Sequence, residues 1–264
     1  MTNSENHTES DVAAAVDAPE TTSLALEISI AGEKVQFSVT LPSGPATWEH
    51  LLPFMRGLVK VSSDISQEYF SAQGQPISCR GGCAMCCRHR VPIAEFEAHR
   101  LRRLVESMPE PRRTEIIARF QAVEERIRAA GVAGSFDSDE PISLEEMTRR
   151  AGSYFRLMIA CPFLEDESCS IYDERPLKCR EHLVTSPAEN CADPEQLPVV
   201  GLPLPLRVYL TTLLLDDEPG SPGIRWVPLN ELISWTDAHA PEQPGRTGPE
   251  LLHEFMSKLV QPNH

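Results

Sequence analysis

Four cysteines within nine residues, Cys79-Arg-Gly-Gly-Cys83-Ala-Met-Cys86-Cys87, constrain this chain more than any other feature. After 73 intervening residues comes a second group: Cys161-Pro-Phe-Leu, Cys169-Ser-Ile-Tyr-Asp-Glu-Arg-Pro-Leu-Lys-Cys179, and then Cys191. Thiols this crowded do not suit ordinary core packing and do not pair comfortably with one another. Two- and three-residue spacers do suit a metal, because tight turns aim sulfurs at an ion about 2.3 Å away. Gly81 and Gly82 supply the backbone freedom such a turn needs. Side chains of neighbouring residues usually diverge, so Cys86 and Cys87 are expected to play different parts. Either one ligates and the other packs as a small hydrophobe, or the site holds several metal atoms. All-thiolate ligation suits Zn²⁺ and iron–sulfur clusters alike. Eight thiols allow two four-cysteine sites, one site with spares, or a cluster with redox-active extras. Closing a site across 73 residues carries a loop entropy that tertiary folding must offset, and metal affinity then contributes to folding.

At 264 residues the chain has enough core to fold without staples, so its cysteines are not compensating for a missing interior. Its first residues, Met-Thr-Asn-Ser-Glu-Asn-His, lack both the basic and the apolar region of a secretory leader. The most apolar stretch, 198–215, is interrupted by Pro203, Pro205 and Arg207 and is too short to span a bilayer. A cytoplasmic location follows as the expectation, with reduced thiols, metal ions as partners and no membrane. A net charge of −15 argues against general affinity for nucleic acid. Residues 80–128 run against that balance, with eleven arginines, seven acids and no lysine. They read as solvated helix faces carrying i,i+4 pairs, or alternatively as a docking surface for an acidic protein partner.

The fold class expected is mainly α (α+β), a helical metal-clamped domain with an N-terminal β-hairpin. Residues 1–22 read as a disordered acidic tail. Residues 23–75 hold a hairpin, alternating from Ser23 to Leu41 about Ala31-Gly32-Glu33, and a helix N-capped by Thr47 with Pro53 near its start. Residues 76–195 form the cysteine-cluster domain. Within it, helices are expected over 93–107 and 112–130, then a loop over 131–141. A further helix is opened by a Ser143–Glu146 capping box and runs to Leu157. Residues 196–264 form a C-terminal helical extension, with helices near 206–215, 229–235 and 251–260. No phosphate-binding glycine loop or serine nucleophile motif appears. Cys83-Ala-Met-Cys86 has redox spacing but lacks the strand–helix context of thioredoxin-like chemistry.

The combined pattern, from Cys79 to Cys87 and then Cys161-Pro-Phe-Leu, Cys169-Ser-Ile-Tyr, Arg175-Pro176 and Cys179-Arg180, resembles the YkgJ-type cysteine-cluster family. The resemblance covers roughly 76–192. It implies chelation of zinc or iron, an iron–sulfur cluster included, by Cys79, Cys83, Cys86, Cys87, Cys161, Cys169 and Cys179. Cys191 lies outside the core pattern and joins as an eighth candidate. The chain departs from the family at its first spacer, with three residues between Cys79 and Cys83 where two are common. A related motif in flagellin lysine methylases implies an enzymatic relative, and the alternative reading is an iron–sulfur oxidoreductase or a flagellin-methylase-like transferase. His89 and His182 flank the cysteines as either ligands or polar surface. Arg175 reads as neutralising a thiolate cluster or as pairing with Asp173, Glu174 or Glu181.

Overall fold

The structure, a computed structural model, describes residues 20–132, 144–215 and 226–259. The alternating segment forms β1 (Thr21–Ile30) and β2 (Glu33–Pro42), antiparallel with Ile30 opposite Glu33. Ala31 and Gly32 both take positive φ, +50° and +86°, the two-residue turn whose twist matches that of paired strands. Pairing starts at Thr21, so the last two residues of the expected tail are strand, and 1–19 lie outside the described residues. β3 (Pro45–Ala46) leads to a 3-10 turn, Trp48–Leu51, and on into α1 (Leu52–Ala72). Thr47 sits extended at the cap of the 3-10 turn, its N–H donating to His50 Nδ1 at 3.0 Å, so it opens the turn rather than α1 itself. Pro53 occupies the second position of α1, where no intrahelical donor is lost.

β4 (Pro92–Ile93) pairs with β7 (Val227–Pro228), which is why α2 (Glu95–Glu106) begins two residues later than the apolar periodicity predicts. α3 (Arg112–Ala129) and α4 (Leu144–Phe155) follow. The expected Ser143–Glu146 box and most of the expected 131–141 loop lie outside the described residues. β5 (Leu164–Glu165) and β6 (Ser168–Cys169) form a small hairpin, and α5 (Leu177–Glu181) carries Cys179. α6 spans only Val208–Thr212, shorter than expected, because Leu206 donates its N–H to Ser62 Oγ of α1 instead of entering the helix. α7 (Leu232–Ala238), β8 (Arg246–Thr247) and α8 (Gly248–Lys258) complete the order, β8 pairing with β3.

Two main cores carry the packing. One joins Ile28, Ile30, Val39 and Leu41 of the hairpin to Leu52, Met55 and Leu58 of α1, Leu177 of α5 and Leu251, Leu252 and Phe255 of α8. The other joins Leu101 and Val105 of α2, Ile116 and Phe120 of α3, Phe163, and Val227, Leu229 and Leu232 around β7 and α7. Cys161 and Cys169 pack against this second core. Most arginines of α2 and α3 are matched by carboxylates within the chain: Arg102 with Glu106 and Asp237, Arg103 with Glu49, Arg112 and Arg119 with Glu165, Arg113 with Glu110 and Arg128 with Glu125. Among the described residues no helix is long and apolar enough to cross a membrane.

Candidate metal centre

All eight cysteines are free thiols, and all eight line one cavity of about 990 Å³. Cys79 follows α1 in extended chain, where Val184 N–H donates to its sulfur at 3.4 Å. A turn over Arg80–Cys83, closed by Cys83 N–H to Arg80 O at 3.0 Å, then turns the chain back. Its third residue, Gly82, has φ +79°, the position where this turn type demands glycine. Gly81 takes no positive φ, and no neighbouring atom crowds it, so the predicted freedom is used at Gly82 alone.

A 3-10 turn, Met85–Arg88, presents Cys86 and Cys87. That turn rotates successive side chains by about 120°, and the Cys87 thiol lies near enough to raise the pKa of Cys86. Across the cavity, Cys161 N–H donates to Cys87 O at 2.8 Å, joining the two cysteine groups through backbone. Cys169 ends the β5–β6 hairpin, whose tip residues Asp166 and Glu167 have φ +47° and +54°. Arg88 grips that tip through both carboxylate oxygens of Glu167, at 2.7 and 3.1 Å, and its other contact is Ala84 O. Arg119 and Arg112 hold Glu165 on the same hairpin from α3. Cys179 is the third residue of α5, and Cys191 is buried in a 3-10 turn, Ala188–Ala192, packed beside that of Cys86.

The carboxylate of Glu97 is 3% exposed and was not singled out from the sequence, yet it fixes α5. One of its oxygens accepts Leu177 N–H at 2.8 Å while the other accepts Ala94 N–H at 3.3 Å, so a single side chain caps both α5 and α2. The Glu at the third position of α2 was a readable capping signal for that helix; its second partner, 80 residues on, was not. Burial pushes its pKa up to about 7, against the pull of those two N–H groups.

Burial raises most of the thiols, opposed in part by the positive charge of Arg175 at Cys86 and of Arg175 and Arg180 at Cys169. Cys86 is raised by its hydrogen bond with Cys87 and by burial, and Cys161 is pushed up to about 12 by burial. Burial likewise raises Cys179, Cys169, Cys79 and Cys191. Opposing the rise, backbone N–H groups point at sulfur from Val184 to Cys79, from Phe163 to Cys161 and from Ile171 to Cys169. Such donors favour the thiolate. Cys86, Cys161 and Cys169 lie close enough to raise Cys179, and Cys79, Cys83 and Cys86 lie close enough to raise Cys191. Cys86 belongs to both sets. His89, stacked on Phe155 at 4.4 Å, and His182 reach the same cavity, both held neutral by burial and by the charge of Lys178, His182 at about 4. Among the described residues Arg175 makes no ion pair with Asp173, Glu174 or Glu181, and Glu174 is taken by Arg56 and Arg100.

The donor chemistry fits a soft or borderline metal: eight thiols and two neutral imidazoles, with Glu167 and Asp64 contributing carboxylates to the wall among the described residues. Among the described residues no group of three or more His, Cys, Asp or Glu side chains is already arranged to hold an ion, so binding would have to draw the thiols inward.

No curated protein and no solved structure matches the chain. Residues 78–196, just under half of the chain, match the model of the CxxCxxCC family, described as “Putative zinc- or iron-chelating domain”. The segment of this chain that carries all eight cysteines is thus the segment that matches the CxxCxxCC family, as the resemblance of its cysteine pattern implies.

Proposed function

We propose that the chain chelates zinc or iron through the thiolates lining this cavity, with Cys86 as the common member of two four-thiol sets. One set is Cys86, Cys161, Cys169 and Cys179; the other is Cys79, Cys83, Cys86 and Cys191, with Cys87 beside Cys86. The observation that carries the reading is the convergence of all eight thiols, drawn from segments 73 residues apart, on one cavity. Thiolates are the form that binds, so a metal would reverse the upward shifts and release protons as it enters. The N–H groups of Val184, Phe163 and Ile171 would then satisfy sulfur lone pairs and hold the ligands in orientation. Zinc would be held as a closed structural ion; an iron–sulfur cluster would add electron transfer. A reducing compartment such as the cytosol suits either.

A Cys→Ser scan with metal analysis tests the assignment. Cys86→Ser and Cys161→Ser are expected to lose most of the bound metal. Retention of full metal content by both would refute the proposed ligand sets. The size of the cavity, larger than a metal requires, favours as second reading an enzyme of the oxidoreductase or methylase-like kind. Binding of an organic substrate by the metal-loaded chain supports it, and its absence from a substrate screen counts against it.

A further inference from the structure

The thiol cavity is larger than chelation explains. At about 990 Å³ it stands at the upper end of the roughly 300–1,000 Å³ of small-molecule pockets, whereas even a water's share of liquid volume is about 30 Å³. Much of its wall is apolar, including Val59, Ile77, Val91, Phe163, Ile171 and Leu229. Most cations on that wall are committed to protein partners. Arg56 holds Glu174 at 2.9 Å, Lys60 holds Asp64 at 2.5 Å, and Arg90 pairs with Glu231. Arg180 donates to the carbonyl oxygens of Arg175, at 2.8 Å, and Asp173. Arg80 lies open to solvent.

Arg175 and Lys178 differ from these. The Arg175 guanidinium lies 3.8 Å from the centroid of Tyr172, and its Nε is buried with no hydrogen-bond partner among the described residues. Lys178 Nζ lies 5.2 Å from the ring centroid of Tyr209 and, among the described residues, makes no direct ion pair, the Glu181 carboxylate acting on it only from a distance. Aromatic rings orient both cations without neutralising them. Partly buried positive charge with unspent donors is costly unless an anion meets it.

We propose that this cavity takes a small organic anion, a carboxylate or a phosphate ester, whose charged head Arg175 and Lys178 receive while its apolar part packs on the wall. The site goes beyond chelation and needs no metal to exist, although a metal bound by the thiols would lie beside the ligand. A planar guanidinium offering a fork of donors together with a point-charge ammonium is an arrangement that recognises carboxylate and phosphate oxygens.

Calorimetric titration of the full chain with phenyl phosphate and with benzoate, at physiological ionic strength, tests the site. Metal content and thermal melting are recorded on the same samples. At least one probe is expected to bind, and which of the two binds more tightly separates phosphate from carboxylate recognition. Arg175→Gln and Lys178→Met are each expected to weaken it about tenfold or more, the effect of one charge-assisted hydrogen bond. Lys178→Arg should keep most of the affinity, which guards against misreading a folding defect. Metal content should be unchanged in all three variants. No binding of either probe to the wild type overturns the proposal, as does binding indifferent to both substitutions. Substitutions that remove metal and binding together also overturn it, because the cations would then serve the thiolate–metal group. Anion binding by a wild-type chain that holds no metal would uphold this site while the chelation reading failed.

Discussion

Glu97 shows how one side chain can join distant segments and carry a pH signature. Its folded pKa, about 7, lies above the ordinary 4.5, so the contribution it makes is fully present below 4.5 and is lost as pH rises through 7. At about 1.4 kcal/mol per pKa unit the difference is on the order of 3 kcal/mol. Denaturant melts of wild type and Glu97→Gln should therefore show the wild type gaining on the variant as pH falls from above 7 to below 4.5. A constant difference would mean that Glu97 does not titrate in this window. Arg88 supports the site in another way, by fixing the Glu167 turn two residues before Cys169. The pair is partly exposed, so Arg88→Met should cost at most about 1 kcal/mol of stability. Groups that orient ligands weigh more on binding, and metal affinity should fall about tenfold or more, measured by competition with a chromophoric chelator. The cysteines and Gly82 were legible because their chemistry and backbone demands are local. Glu97 and Glu167 were not, since a glutamate on a helix or a turn reads as solvated until its distant partner is placed.

Among the elements, the hairpin was legible almost residue by residue, because alternation and an Ala-Gly turn specify register without help from the rest of the chain. α1, α2 and α3 were legible as amphipathic stripes, with ends shifted by the 3-10 turn at Trp48 and by the β4–β7 pairing. α5 escaped notice, since five residues show no periodicity and what holds it is tertiary. Leu177 is fully buried in the first core, and Arg56 and Glu97 anchor the chain around it. Leu177→Ala should destabilise the chain by roughly 2–5 kcal/mol and loosen Cys179, visible as faster alkylation of that thiol. At the other end of the first core, the start of α8 sits against β2. A Cβ added at Gly248 would lie 2.6 Å from both Leu41 Cβ and Pro42 O, one of them backbone. Gly248→Ala should cost about 1–3 kcal/mol by overpacking, read as a lowered midpoint with an unchanged denaturant slope.

At the scale of the whole molecule, protein contacts hold the two cysteine groups in place. Backbone hydrogen bonds from Cys161 to Cys87 and from Ser78 to Val184, the Arg88–Glu167 pair and the second core already bring the groups together. The spacing of the cysteines foretold that they would meet; it did not foretell that residues beyond 196 would complete both cores, through Val227 and Leu229 in one and Phe255 in the other. Those contacts depend on three-dimensional complementarity that apolar residues in short helices do not advertise. Metal removal should accordingly lower the melting temperature without abolishing the helical circular dichroism of the chain; a ligand at 1,000 times its Kd adds about 4 kcal/mol. The most direct test of the account is elemental and acid-labile sulfide analysis, with native thiol titration, on full-length protein purified without oxygen or added metal. The account predicts zinc or iron in stoichiometric amount, sulfide and colour accompanying iron if a cluster is present, and thiols masked until the metal is removed. A metal-free chain with all eight thiols titrating freely would contradict it.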